Sequence, residues 1–333
     1  MRQIIEAHDI EEAEWDALAK NSSVVSWFQT SEAFRFYNSL SFLDAFAFGV
    51  KNGDALKGVV VGFVQKDGGR TKRFFSRRAI VNGGLLLADD AAEGDVKILL
   101  DGLKVRLKRK SIYIETRNFN DYSRWKGAFE DCGFNYKSHY DIWVDTSSTD
   151  VMELNLGKSR KRDIRISLRE GASVVENPTL DQVKEYYAIL VDLYKEKIKT
   201  PLFGLDFFEK LYCLPEAVFL LVEYHGIIVG GTVCVGLGGK TLYEMYVCGR
   251  DGFFKNVFPS ELATYAGLKF AVENGYRSFD MMGAGMPGDG GYGVRDFKLK
   301  FGGQLMEFGR FVHVNNPFLF GMGKMGVKLM KWI

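Results

Sequence analysis

The stretch Phe279–Phe311, FDMMGAGMPGDGGYGVRDFKLKFGGQLMEFGRF, decides how the rest of the chain is read. It reads as a buried strand end (Phe279–Met282), a long glycine-rich loop and a short basic-aromatic segment from Tyr292 to Phe301. A Gly-Gly turn then leads into a closing strand over Leu305–Val314. Glycine reaches backbone conformations closed to other residues and lets a ligand approach the main chain. Long loops without secondary structure are usually functional or disordered. Disorder does not suit this one, because Tyr292, Val294, Phe297, Leu299 and Phe301 are too apolar to stay solvated. The plain alternative is a glycine-rich hairpin excursion with no chemistry.

Downstream, PFLFGMGKMGVKLMKWI places Lys324, Lys328 and Lys331 on one helical stripe and Met325, Leu329 and Trp332 on another. A basic amphipathic end of this kind lies on an anionic membrane surface or docks on the protein itself. Upstream, Ser260–Asn274 reads as a helix capped by Ser260 after Pro259 and ended by Gly275. Before it, Ala217–Tyr224, Ile227–Leu237 and Thr241–Cys248 form a three-stranded meander, preceded by helices at Leu180–Lys197 and Leu205–Leu214. The densest basic run, GKSRKRDIRISLREGASVVE, starts at Gly157. On a helix its Lys158, Arg162, Arg165 and Arg169 fall within about 60° of one another. That strip is either a solvated surface or a cationic track for phosphates, which arginine forks match in pairs.

The first half carries helices over 10–20 and from about Thr30, then strands at about Ala45–Lys51, Lys57–Lys66, Thr71–Ser76 and Ala79–Leu87. The Gly83-Gly84 pair inside the last of these suggests a bulge or a close backbone approach. An amphipathic helix (Asp95–Lys108), strand SIYIET, helix Tyr122–Cys132 and strand Phe134–Val144 follow. The two halves repeat one order: strands, helix, strand, a connecting segment (a helical stretch in the first half, the loop with FKLKF in the second), glycine, closing strand. A period of half the chain suggests a duplicated α/β domain rather than a solenoid. The polar connector Asp145–Thr149 sets the expected boundary, giving domains 1–149 and 150–333.

At 333 residues, 47% hydrophobic and 26% charged, the chain has the profile of a globular protein with room for two cores. A net charge of +2 confines any polyanion contact to local patches. The acidic N-terminus lacks a secretory signal pattern, and no window approaches the roughly 18 apolar residues of a membrane span. The four cysteines lack CxxC spacing and read as free thiols of a cytoplasmic protein. The four histidines show no ligand spacing, so no metal is expected. No GxSxG elbow, Walker loop or HExxH is present, which argues against serine hydrolases, P-loop enzymes and zinc proteases.

Four features together resemble the FemABX-type aminoacyltransferases: FQTSEAF near the N-terminus, GKSRKRDIRISLREGASV, the strand–helix–GYRSFDMMGAG segment and the YGVRDFKLKFGGQ ending. The resemblance implies tandem GNAT-like (acyl-CoA N-acyltransferase-like) domains, each a mixed sheet with flanking helices. It implies transfer of an amino acid from aminoacyl-tRNA to the stem-peptide amine of a soluble or lipid-linked peptidoglycan precursor, with no cofactor beyond the donor. The long helical hairpin that some members insert in the second domain is absent. The segment after Val247 also lacks the Arg-Gly-x-Gly loop that holds the pyrophosphate of acetyl-CoA in ordinary GNAT enzymes. An acyl-CoA or acyl-carrier thioester donor remains the alternative, as does a catalytically silent domain pair that binds a wall precursor.

Aminoacyl transfer from an ester to an amine requires juxtaposition, a neutral amine and oxyanion stabilisation, and no protein nucleophile. In the family pattern the lysine after the aromatic of the closing motif matches Lys298, the first candidate for the catalytic cation, with Lys300 second. Both lysines could equally sit on an edge strand and only guard against aggregation. Asp280 is a candidate proton acceptor or orienting group, and Asp296 sits inside the motif. Substrate-binding candidates are Arg35, Tyr246, Tyr292, Arg295, Arg162 and Arg165. Strand alternation sends Tyr243 and Tyr246 to opposite faces.

Overall fold

Two runs that read as single strands, Phe134–Val144 and Leu305–Val314, are each divided in the structure, and their halves join different sheets. The computed structural model describes residues 1–66, 76–289 and 293–330, with the backbone alone from 324. Most of the expected strand Thr71–Ser76, together with Tyr292, lies outside these residues. The chain folds as two units. One contains Met1–His139 and the segment from Phe308 onward; the other is Tyr140–Glu307.

The first unit holds a sheet in the order β1 (Arg2–Glu6), β2 (Leu43–Asn52), β3 (Ala55–Gln65), β4 (Arg78–Gly83), β6 (Tyr113–Asn118), β15 (Arg310–Val314) and β7 (Asn135–Lys137). A short β5 (Leu86–Leu87) pairs with β3. Strands β4 and β6 run parallel from Arg78↔Tyr113 to Gly83↔Asn118. Helix α1 (Glu12–Asn21) precedes α2 (Ser31–Ser39), whose Thr30 cap accepts from the Ala33 amide at 3.2 Å. Helix α3 (Glu93–Leu107) buries Val96, Leu99, Leu100, Leu103 and Leu107. This expected stripe packs in one cluster with Val60, Val64, Ala79 and Val81 of the sheet. Full burial of each such side chain contributes about 1.5–3 kcal/mol. Helices α4 (Lys126–Asp131) and α11 (Pro317–Met330) also belong to this unit.

The second unit has the strand order β14 (Gln304–Glu307), β8 (Tyr140–Asp145), β13 (Ser278–Asp280), β12 (Thr241–Gly249), β11 (Ile227–Leu237), β10 (Ala217–Tyr224) and β9 (Ser173–Val175). Its helices are α5 (Thr149–Asn155), α6 (Lys158–Arg169), α7 (Leu180–Leu193), α8 (Leu205–Tyr212), α9 (Pro259–Glu273) and α10 (Gly293–Leu299).

The repeated element order is present in both units, but the closing strands are exchanged. Strand β15 inserts between β6 and β7, and β8 inserts between β13 and β14. The expected division at 149/150 is therefore corrected to 139/140, with the end of the chain returning to the first unit. The break before β15 needs its glycine: Gly309 has φ +67°, and a Cβ there would stand 2.3 Å from the Tyr136 ring.

Candidate active site

The second sheet opens at its parallel pair. Strands β12 and β13 pair only over Thr241–Tyr243 and Ser278–Asp280. Past Asp280 the chain stays with β8, through Met281 N–H to Ile142 O (2.9 Å) and Tyr140 N–H to Gly285 O (2.9 Å), while β12 runs on to Gly249. Met282 sits at the divergence in a left-handed conformation, φ +54°, a strained setting for a residue with a side chain.

Lys298 closes this opening from α10. It is 8% exposed, and its ammonium donates to the carbonyls of Met281, Met282 (3.0 Å) and Gly283 (3.0 Å). All three donors of the ammonium are thereby engaged. FKLKF is thus helix followed by turn, which corrects the edge-strand alternative. Phe297 and Phe301 meet one helical turn apart, with ring centroids 5.2 Å apart, and Phe301 is fully buried.

Carboxyls surround the lysine. Asp280 is fully buried, accepting from the Trp143 indole N–H at 2.9 Å and from the Met282 amide at 2.7 Å. Burial pushes its pKa up to about 6, against the pull of those two N–H groups and of Lys298. Glu244 on β12 is equally enclosed and accepts from the Thr232 hydroxyl at 3.2 Å. Burial lifts it to about 7, opposed chiefly by Lys298. Burial also draws the Lys298 ammonium below the usual lysine range, while Glu244, Asp280 and Asp141 hold it up. Glu244 has no counterpart among the sequence candidates. Its signal was a lone carboxylate inside the apolar run LYEMYV.

Arg295 and Lys298 together fasten the glycine-rich loop. Arg295 donates to Ala284 O (2.7 Å), Met286 O (3.1 Å) and the Asp289 carboxylate (2.5 Å), and its guanidinium lies 5.1 Å from the centre of the Tyr140 ring. Asp296 and Lys300 are exposed, and no hydrogen bond or ion pair engages the Lys300 ammonium among the described residues. Of the three cations of the motif, Lys300 is the one available to a ligand.

The basic helix α6 behaves differently from its wheel. Arg162 is mostly exposed and forks onto Asp163 at 2.9 and 3.0 Å; Arg165 is exposed. The buried cation is Arg160, which the sequence reading passed over. It pairs with Glu261 at 2.7 Å and lies 4.5 and 5.2 Å from the centres of the Phe297 and Phe301 rings. This stacking ties the basic run to the closing motif. Arg35, in the first unit, is held by Glu12 and Glu32, each at 2.9 Å, so its charge is already compensated at the surface.

Tyr243 and Tyr246 share a face, which corrects the expected opposition. Cys234 pairs with Glu244 and Val233 with Tyr246, so Met245 is an extra residue that resets the alternation. Tyr246 packs on Phe208 (5.0 Å) and Phe207 (6.3 Å), with Tyr194 at 6.4 Å. Tyr194 begins a π-helical turn, Tyr194–Ile198, and with Tyr187, Lys195, Lys199 and Thr200 lines an open cavity of about 430 Å³. Such turns often mark functional positions.

One further feature concerns the donor. A helix start normally offers free amides to a phosphate. At the start of α9, Pro259 has no N–H, and the Asp251 carboxylate takes the Ser260 amide (3.0 Å) and hydroxyl (2.5 Å).

Comparison with known proteins agrees with this architecture. The acetyltransferase (GNAT) domain family matches residues 158–298. The structure is similar to FemX, with a TM-score of 0.73 at 16% identity over 97% of this chain and 99% of that one. It is also similar to a tandem GNAT protein of the clavulanic acid biosynthesis pathway (TM-score 0.59, 11% identity, 95% and 99% covered). A third likeness is to the C-terminal domain of a putative lysylphosphatidylglycerol synthetase from Agrobacterium fabrum (TM-score 0.57, 14% identity, 96% and 95% covered). Comparison with curated protein sequences finds no match. The chain has a tandem GNAT-like α/β fold, and its second unit carries the stretch that matches the acetyltransferase (GNAT) domain family.

Proposed function

We propose that this protein is an aminoacyltransferase that forms an amide on the amine of a peptidoglycan-precursor stem peptide, with aminoacyl-tRNA as donor. The observation that carries the donor side is the start of α9. Asp251 occupies the Ser260 amide, and a second acidic residue, Glu261, stands in the first turn. A coenzyme A pyrophosphate brought there would meet negative charge instead of free amides. An aminoacyl ester needs no such cradle. A lysylphosphatidylglycerol synthetase among the similar structures carries a name that describes an aminoacyl product.

In the reaction the acceptor amine attacks the ester carbonyl. The C–N bond forms, the bond to the ribose oxygen breaks, and the ammonium proton passes to the leaving oxygen or to water. Lys300 is the group that places positive charge on the oxyanion. Lys298, Asp280 and Arg295 are positioning residues: they fix the backbone from Met281 to Asp289 rather than reach the substrate. The aromatic-basic cavity beside Tyr246 is the acceptor side of the reading. A tRNA donor places the reaction in the cytoplasm.

The test is incubation of the purified protein with pooled radiolabelled aminoacyl-tRNAs and soluble or lipid-linked precursors. Label on the precursor is expected, with kcat reduced about 100-fold or more in Lys300→Ala at unchanged Tm. Label that stays on tRNA while an acyl-CoA or acyl-carrier thioester is consumed would replace this reading with thioester-dependent N-acyl transfer. Tight precursor binding without turnover of either donor would replace it with a silent binding protein.

A further inference from the structure

We infer that the first unit carries a docking surface for an anionic lipid bilayer, built where α11 is fastened to the turn after α3. The residues from Gly102 to Ile114 include no carboxylate, and Lys108, Arg109 and Lys110 are all exposed. Lys104 and Arg106 in the same helix are paired with Asp101 and Glu6, whereas no ion pair engages Lys108, Arg109 or Lys110 among the described residues. Arg77 joins the turn by donating to Arg109 O at 3.3 Å, and its neighbour Arg78 is the strand partner of Tyr113. In a chain of net charge +2 this is a local concentration of positive potential.

Apolar groups stand among these cations. The main-chain N–H groups of Asn315 and Asn316 both donate to Ile112 O, at 2.9 and 3.0 Å. The Asn315 side chain donates to Leu107 O (3.2 Å) and to Ser111 O (3.3 Å) and Oγ (3.0 Å). These bonds pin the start of α11 to the basic turn. Phe320 then packs against Tyr113, with centroids 5.3 Å apart, which fixes the inner side of the helix. Phe318 and Met322 remain 74% and 40% exposed, and Val105, one turn before Lys108 and Arg109, is 79% exposed. The chain from Asn315 onward has no acidic residue.

Cations interleaved with protruding Phe, Met and Val side chains match a bilayer interface, where ammonium and guanidinium groups meet lipid phosphates and the apolar groups enter the acyl boundary. A nucleic acid would use the cations and stack on Phe318, but it offers nothing to Val105 or Met322. The inference stands apart from the acyl-transfer reading, since it uses none of the residues of the second unit.

The test is co-sedimentation of the full chain with phosphatidylcholine vesicles, with and without phosphatidylglycerol. Binding is expected only to the anionic vesicles and should weaken with added salt. At about 1 kcal/mol per basic residue, the triple variant Lys108→Gln, Arg109→Gln, Lys110→Gln should bind roughly 100-fold more weakly. Phe318→Ser should lose roughly 10-fold, with unchanged circular dichroism in both variants. Absence of anionic-vesicle binding overturns the inference. Binding that Phe318→Ser leaves untouched, or a basic turn that retains bulk tRNA but not vesicles, overturns it in favour of a polyanion surface.

Discussion

The two units solve one problem with different chemistry. In each, a parallel strand pair ends and the chain leaves the sheet with carbonyls that must be satisfied inside the protein. In the first unit the pair stays closed to Gly83↔Asn118, and the groups that meet it are neutral. Buried Gln29 donates to Gly83 O (2.9 Å) and to the Tyr122 hydroxyl (3.0 Å), while Tyr122 donates to Gly83 O (2.9 Å) and Leu85 O (2.5 Å). In the second unit the pair opens after Asp280, and a buried ammonium with surrounding carboxyls takes that place. A neutral amide network rigidifies at small electrostatic cost. A buried charge cluster costs desolvation and makes local structure sensitive to pH. The difference separates a unit held by neutral hydrogen bonds from one held by a buried charge cluster.

The largest expected effect tests that contrast directly. Lys298→Met leaves three carbonyls and the nearby carboxyls uncompensated, so it should cost about 3–5 kcal/mol in urea unfolding. Gln29→Ala, its counterpart in the first unit, should cost about 1–3 kcal/mol. A reversed ranking would break the comparison.

The pH dependence sharpens it further. Glu244 is raised from 4.5 to about 7 in the folded state, so its contribution is full below about pH 4.5 and is lost as pH rises through about 7. Glu244→Gln does not titrate. The wild type should therefore lose stability relative to this variant between pH 5 and 8, on the order of 3 kcal/mol at most. No such pH term is expected on comparing Gln29→Ala with wild type, and parallel curves for both variants would refute the assignment.

Two smaller effects follow. Arg160→Lys keeps the charge but loses the planar stack over Phe297 and Phe301, and should cost about 1 kcal/mol. Asp251→Asn should cost about 0.5 kcal/mol or less, read as a Tm shift of a degree or two, because only an exposed cap is weakened.

Much of this was legible in the chain. FQTSEAF marked the place where Gln29 locks the first unit, and Gly83-Gly84 announced a close approach: a Cβ on Gly84 would stand 2.6 Å from the Tyr122 ring. The closing motif named Lys298 and Lys300, but not that Lys298 is buried and bonded while Lys300 is exposed. Arg160 escaped notice because five neighbouring cations share its stretch and only burial sets it apart. The face shared by Tyr243 and Tyr246 escaped because one extra residue, Met245, resets the alternation. A bulge is a property of the pairing, not of either strand alone.

By itself, the sequence determined most of the element types, the doubled α/β order and the motif that carries the cations, because helical and strand periodicities and glycine turns are local properties. The tertiary structure decided which sheet received β8 and β15, which lysine was buried and which cations were compensated. Those outcomes depend on pairing and desolvation between residues far apart in the chain, and no local pattern encodes them.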